Sequence, residues 1–311
     1  MAEIVLGVAA SHTTLMNTQW DKVDHLPRAH AFRDALGQAA AMLHEARPDA
    51  VVILGSNHFR GFWLDLMPAF TIGVGEVIAA GEHGTPAGAL PCNPATALAV
   101  CEGMMARDFD CAFSSKLSVD HGISHAVQWL MPELNVPIIP IVINCFAPPL
   151  PTLGRVSRFG EALRGVLESL TSVDRVAVIA TGGLSHALPF PDWRRPEGDD
   201  EEFIAHSWKE GRGRWQEFET RRRSIIVNAP PRLNEEFDRW FLARFESEGL
   251  RRILDELGDE ELVLKAGNGG NEIRAWIALS QICSNRPADV LVYSPMPEWL
   301  TGMAVAVVTP N

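Results

Sequence analysis

Val176-Ala177-Val178-Ile179-Ala180-Thr181-Gly182-Gly183-Leu184-Ser185-His186 is the stretch that decides the fold. An unbroken apolar run of this length, rich in Val and Ile and stopped by glycine, predicts a strand covered on both faces. The same arrangement occurs twice upstream. Ile4–Val8 is followed by Ser11-His12, and Ala50–Leu54 by Asn57-His58. Ile138–Ile143 reads as a fourth buried strand. Between these runs, Ala29–Ala46, Ala95–Met105 and Phe159–Leu170 carry apolar residues at helical spacing, the first closed by Arg47-Pro48. Strands alternating with helices predict an α/β fold, a central sheet with helices on both faces. In such sheets ligands bind at the carboxyl edge of the strands, where His12, His58 and His186 fall. Any one of them reads as an ordinary hydrogen-bonded loop residue. Three on the same kind of edge point to a site.

The chain has 311 residues, 47% apolar and 21% charged, which suits a globular protein with a substantial core. The formal net charge is -12, and the densest basic cluster, Arg221-Arg222-Arg223, follows Glu217 and Glu219. Nucleic acid and anionic membrane surfaces are therefore excluded as expected partners. An anionic substrate would need a local basic residue, because the overall field repels it. The five cysteines are scattered without a CxxC pair, as expected in a reducing cytosol. The N-terminus lacks a signal-peptide pattern, and no apolar run reaches the length of a membrane span. A cytoplasmic location is the expectation. The segment from about residue 189 to 264 is charged and studded with Trp193, Phe203, Trp208, Trp215 and Phe218, and reads as a helical excursion packed on the main domain.

Two loops add chemistry. Val119-Asp120-His121-Gly122 sets an acid beside an imidazole; Asp120 is a candidate to orient His121 or to cap a turn. Lys265-Ala266-Gly267-Asn268-Gly269-Gly270-Asn271-Glu272 is a glycine-rich turn entering a helix predicted over about 271–284. A carboxylate in a first helical turn is favoured by the helix dipole without any metal, and the run does not match a nucleotide loop. Two or three histidines and a glutamate without cysteine suit an Fe(II) face with open positions, and equally a catalytic Zn(II). His125 reads as structural or as a support behind the ligands. His25, His30, His44, His83 and His206 read as surface or packing residues. Tyr293 is assigned neither to packing nor to substrate.

These blocks together resemble the catalytic subunit of the class III extradiol ring-cleaving dioxygenases. That family includes the protocatechuate 4,5-dioxygenases, the gallate dioxygenases and the 2,3-dihydroxyphenylpropionate 1,2-dioxygenases. The resemblance rests on Ser11-His12, on Asn57-His58 with the run Gly61 to Phe70, and on Val119 to Gly122. It continues through Thr181 to His186, Gly269 to Glu272 and Pro297-Glu298-Trp299. It implies a single LigB-like catalytic domain over residues 1–311, with a mixed sheet covered by helices. It implies Fe(II) held by His12, His58 and Glu272, and proton transfer by His186 and His121. The substrate would be a catechol, expected to be carboxylated and derived from lignin or plant phenols, with O2 as co-substrate. Family members commonly carry Asp before the second ligand histidine, where this chain has Asn57. Asn57, Asp120 and Ser185 are accordingly candidates for contacts behind the ligands or to substrate. Arginines or lysines of the excursion, or Arg274, are candidates to pair with a substrate carboxylate. A homo-oligomer is expected, and a small partner subunit over the site occurs in some relatives. The competing readings are a zinc-dependent hydrolase on the same scaffold and a non-enzymatic binding protein of the same fold.

Overall fold

The computed structural model describes residues 1–132 and 135–309. Nine strands form one mixed sheet: β1 Glu3–Ala10, β2 Ala50–Ser56, β3 Phe70–Ala80, β4 Ala87–Leu90, β5 Ala112–Val119, β6 Ile138–Ile143, β7 Arg175–Thr181, β8 Asp289–Met296 and β9 Thr301–Val308. Their order is β4-β3-β6-β2-β7-β1-β9-β8, with β5 paired to β3. The centre, β6-β2-β7-β1, is parallel, whereas β9 runs antiparallel to β1 and β3 antiparallel to β6.

Eleven α-helices are found among the described residues. They are α1 Leu15–Thr18, α2 Leu26–Ala46, α3 Pro94–Met105, α4 His121–Leu130, α5 Leu153–Ser169, α6 Gly198–Glu210, α7 Trp215–Val227, α8 Glu235–Glu248, α9 Ile253–Glu256, α10 Asp259–Ala266 and α11 Ile273–Ile282. The two faces of the sheet explain why the central strands read as unbroken apolar runs. Ala50, Val52 and Leu54 of β2 and Val176 and Val178 of β7 point into a core shared with Phe159 of α5 and Trp276 of α11. The intervening Val51, Ile53, Ala177 and Ile179 point into a second core with Phe32 and Leu36 of α2 and Ile123 of α4. Alternate side chains thus enter opposite cores, and neither face tolerates a polar residue.

The four anticipated strands are present, and the helices differ mainly at their starts. The helix expected from Phe159 begins at Leu153, because Thr152 caps it by accepting from Arg155 N at 3.1 Å. The helix expected from Asn271 is led in by a short 3-10 turn, Gly269–Glu272. β3 and β8 went without an assigned strand in the sequence; β3 carries Gly73, Gly75 and Glu76, which interrupt its apolar pattern. The excursion is helical, formed by α6 to α10, and docks through Trp208, fully buried and stacked on Phe59 at 4.0 Å. No helix among the described residues is long and apolar enough to cross a membrane.

Candidate metal centre and cavity

β1, β2 and β7 end on one edge of the sheet and deliver His12, His58 and His186 there. Each is held by its own anchor. Ser11 fixes the chain before His12: its N–H donates to Ala304 O at 2.9 Å and its Oγ accepts from Ala304 N at 3.0 Å. The His58 backbone N donates to Asp120 Oδ2 at 2.5 Å and its Nδ1 to Asp120 Oδ1 at 3.1 Å. His186 donates from Nδ1 to Leu184 O at 2.9 Å. In each of the last two pairs the acceptor fixes the tautomer, so in the neutral ring Nε2 carries the free lone pair.

Glu272 arrives from the glycine-rich turn. The turn packs so closely on the end of β7 that a Cβ on Gly182 would stand 2.6 Å from Glu272 Cβ, and Gly182 has φ +148° besides. Only glycine fits there. Gly183 N then donates to Glu272 Oε2 at 2.8 Å, and Ser56 Oγ donates to Oε1. Glu272 Oε1 lies 3.1 Å from His12 Nε2 and 3.4 Å from His58 Nε2. Both nitrogens of His12 are buried without an aligned hydrogen-bond partner. An unpaired, fully buried imidazole is costly unless a ligand uses it.

His121 begins α4. Its ring stacks on His58 at 3.8 Å, and nitrogens of His12, His58 and His121 come within 4.8 Å of one another. Two triads therefore overlap, three imidazoles or two imidazoles and Glu272. Glu272 touches both His12 and His58, and His121 Nδ1 is bonded at 2.8 Å to Glu82 Oε1, as His58 Nδ1 is to Asp120, which leaves Nε2 of each ring open.

The titration behaviour follows from burial and charge. Burial opposes charging His58, but Asp120 and Glu272 outweigh it and raise it to about 9. Burial opposes the Glu272 carboxylate too, yet His12 and His58 hold it well below the usual range. Burial outweighs Glu272 and the bond to Leu184 O and pushes His186 down, and burial with His58 pushes His121 well down. His186 and His121 are thus neutral at pH 7. Two carboxylates converging on buried imidazoles create a demand for positive charge that a divalent cation satisfies.

Several residues stand elsewhere than anticipated. Asp120 caps α4 through Gly122 N and holds His58, not His121. The partner of His121 is Glu82, a buried residue that sequence reading passed over. Among the described residues Asn57 makes no hydrogen bond to the imidazoles of His12, His58 or His186; it closes its own loop by accepting from Gly61 N and Phe62 N. Ser185 is bonded to Asp238, away from the cavity, and Tyr293 donates to the same carboxylate. Arg274 is buried against Asp259 and Asn271, not in the cavity. His83, read as surface or packing, lines the cavity and bonds Glu219 at 2.7 Å. His125 sits one turn after His121, its ring 6.2 Å from that of His12, and burial lowers it to about 3. The excursion walls the cavity with Glu219, Arg222, Arg223 and Ile226 of α7, and not with its tryptophans.

The chain belongs to the family described as the catalytic LigB subunit of aromatic ring-opening dioxygenase, which it matches over residues 7–304. It is an extradiol-type ring-cleaving dioxygenase. It is similar to the 2,3-dihydroxyphenylpropionate/2,3-dihydroxicinnamic acid 1,2-dioxygenase 2 of Pseudomonas putida, at 32% identity over 91% of this chain and 96% of that one. The enzyme of the same description from Photorhabdus laumondii is 33% identical over 97% of this chain and 96% of its own. Among solved structures, an uncharacterized protein of Escherichia coli K12 shares the fold, with a TM-score of 0.52 at 12% identity over 98% of this chain and 99% of that one.

Proposed function

We propose that this chain opens the ring of a carboxylated catechol beside its two hydroxyls, with Fe(II) held by His12, His58 and Glu272. The observation that carries this is His12, whose ring nitrogens are buried without an aligned hydrogen bond and whose Nε2 lies 3.1 Å from Glu272 Oε1, in a ring-opening family. The substrate class is supported by the similar enzymes, which are named for 2,3-dihydroxyphenylpropionate. The five free cysteines support a reducing, cytosolic setting.

When bound, Fe(II) supplies the Lewis acidity that acidifies the diol and the redox chemistry that activates O2. His186 is the base that takes a hydroxyl proton. It is neutral at pH 7, its Nδ1–H is spent on Leu184 O, and its Nε2 is 4.0 Å from Glu272 Oε2, so the free lone pair faces the ligand cluster. The proton it gains is then available to the oxygen that departs when the ring opens. His121, oriented by Glu82, presents its own Nε2 from the other side and hydrogen-bonds a substrate oxygen. Leu188, Phe190 and Ile226 give the ring apolar walls that exclude water.

The test is to load the metal-free protein anaerobically with Fe(II) or with Zn(II), mix it with a panel of catechols, and record O2 uptake and the yellow ring-opened product. Fe(II) protein is expected to consume O2 and yield the product; Zn(II) protein is expected to do neither. Absence of O2 uptake by the Fe(II) protein with every catechol would defeat the proposal.

A further inference from the structure

The cavity is unevenly charged. Its ligand end carries Glu272. Its lining also carries Arg60 from the loop after β2 and Arg222 and Arg223 from α7, with Glu219 among them. Three cations in one cavity run against the net charge of -12 for the whole chain. Glu219 does not neutralise them all. It bonds Arg60 and accepts from His83 Nε2 at 2.7 Å, and it lies 3.9 Å from Arg222 Nη1. Arg223 gives its nitrogens to the neutral hydroxyls of Thr14, at 2.9 Å, and Thr18. The other carboxylates of the lining are Glu82, whose Oε1 accepts from His121, and Glu272 among the histidines, so Glu219 alone is paired directly with these guanidinium groups.

Arg222 is the least satisfied of them. It is only 4% exposed. Among the described residues its one hydrogen bond is long, from Nη2 to His58 O at 3.4 Å, and its Nε is buried with no partner. A guanidinium offers five donors in a planar fork. Burying one with a single long bond is unfavourable unless an acceptor arrives from the cavity. The acceptor that matches the fork is a planar carboxylate, bound by two parallel bonds. Because Arg222 touches the backbone of His58, that carboxylate would lie beside the ligand cluster, within reach of a short side chain on a ring bound there.

We infer that Arg222, with Arg223 beside it, binds the carboxylate at the end of the substrate's side chain and so selects acidic catechols. The assignment rests on the ring-opening reading proposed above and adds the residue that recognises the acid. Glu219, bonded to Arg60 and His83, stays 3.9 Å from Arg222 Nη1, too far for a hydrogen bond, so the donors of the Arg222 fork are left for another acceptor.

The experiment compares Fe(II)-loaded native protein with R222M and R222K, using 2,3-dihydroxyphenylpropionate and the neutral 3-propylcatechol. The ratio of kcat/KM for the acid to that for the neutral diol is expected to fall roughly 100-fold in R222M, chiefly through KM, and to recover in part in R222K. An unchanged ratio would overturn the assignment. A second arm needs neither a folded variant nor turnover. It measures binding of 3-phenylpropionate and its primary amide, which lack the diol, to native protein. Preference for the acid is expected; equal affinity would overturn the role of Arg222. Native protein that opens neither diol but still prefers the acid would defeat the ring-opening reading and leave the anion site standing.

Discussion

Replacing Asp120 by Asn should change how metal binding depends on pH. Asp120 faces three donors: His58 N at 2.5 Å, His58 Nδ1 at 3.1 Å and Gly122 N at 2.9 Å. An asparagine has one acceptor oxygen, and its NH2 must then confront one of those donors. The carboxylate also does electrostatic work. With Glu272 it overcomes burial and lifts His58 from 6.5 to about 9. At 1.36 kcal/mol per pH unit this favours the proton by roughly 3 kcal/mol. A metal needs His58 neutral, so below about pH 9 each metal bound displaces a proton, and apparent affinity should climb about tenfold per pH unit from pH 7 to 9. In Asp120→Asn the proton is held less tightly, and the climb should level off above about pH 7. The unsupported imidazole is also the poorer ligand, by about 10- to 100-fold. The two curves should therefore nearly meet at about pH 7 and stand 10- to 100-fold apart at about pH 9. Competition with a chromophoric chelator for Co(II) under argon measures both curves, with circular dichroism to check folding. Parallel curves would refute the claim that Asp120 acts by charging and orienting His58.

Three further outcomes follow from the geometry. His186→Phe should keep its iron but lose about 100- to 10,000-fold in kcat; full turnover would remove His186 from proton transfer. Gly269→Ala should mimic it, since a methyl at residue 269 would collide with the His186 ring, and iron content and kcat measured together show whether the base alone is displaced. Glu82→Ala should lower kcat about 10- to 100-fold by freeing His121, and Glu82→Gln should recover part of it. The partial rescue is expected because one oxygen, Oε1, accepts both His121 N at 2.7 Å and Nδ1 at 2.8 Å. Equal loss in both variants would mean that charge and not orientation matters.

The strand-end histidines were legible because a strand buried on both faces leaves an unbroken apolar run, and the next polar residue marks the sheet edge. Contacts between distant segments leave no such mark. Glu82 meets His121 across 39 residues, and Arg222 meets His58 across 164. The misplaced partner of Asp120 has a local cause. Asp120 is extended, with φ -103° and ψ -165°, while His121 already belongs to the helix, so neighbours in the chain point different ways. Asn57 shows the converse. Its place before a ligand histidine suggested a role behind the metal, yet its side chain is consumed in its own loop. Position in the chain brought out the strand-end histidines and misjudged the side chains that support them.

β9 lies inside the sheet, between β1 and β8, although it is the last strand among the described residues. It supplies the clamp on Ser11 that fixes His12. A ribosome releases the chain from its amino end. All five side chains of the cluster therefore emerge before the strand that holds the first of them. A chain halted short of β9 carries His12, His58, His121, His186 and Glu272 without the strand that clamps Ser11 and so fixes His12.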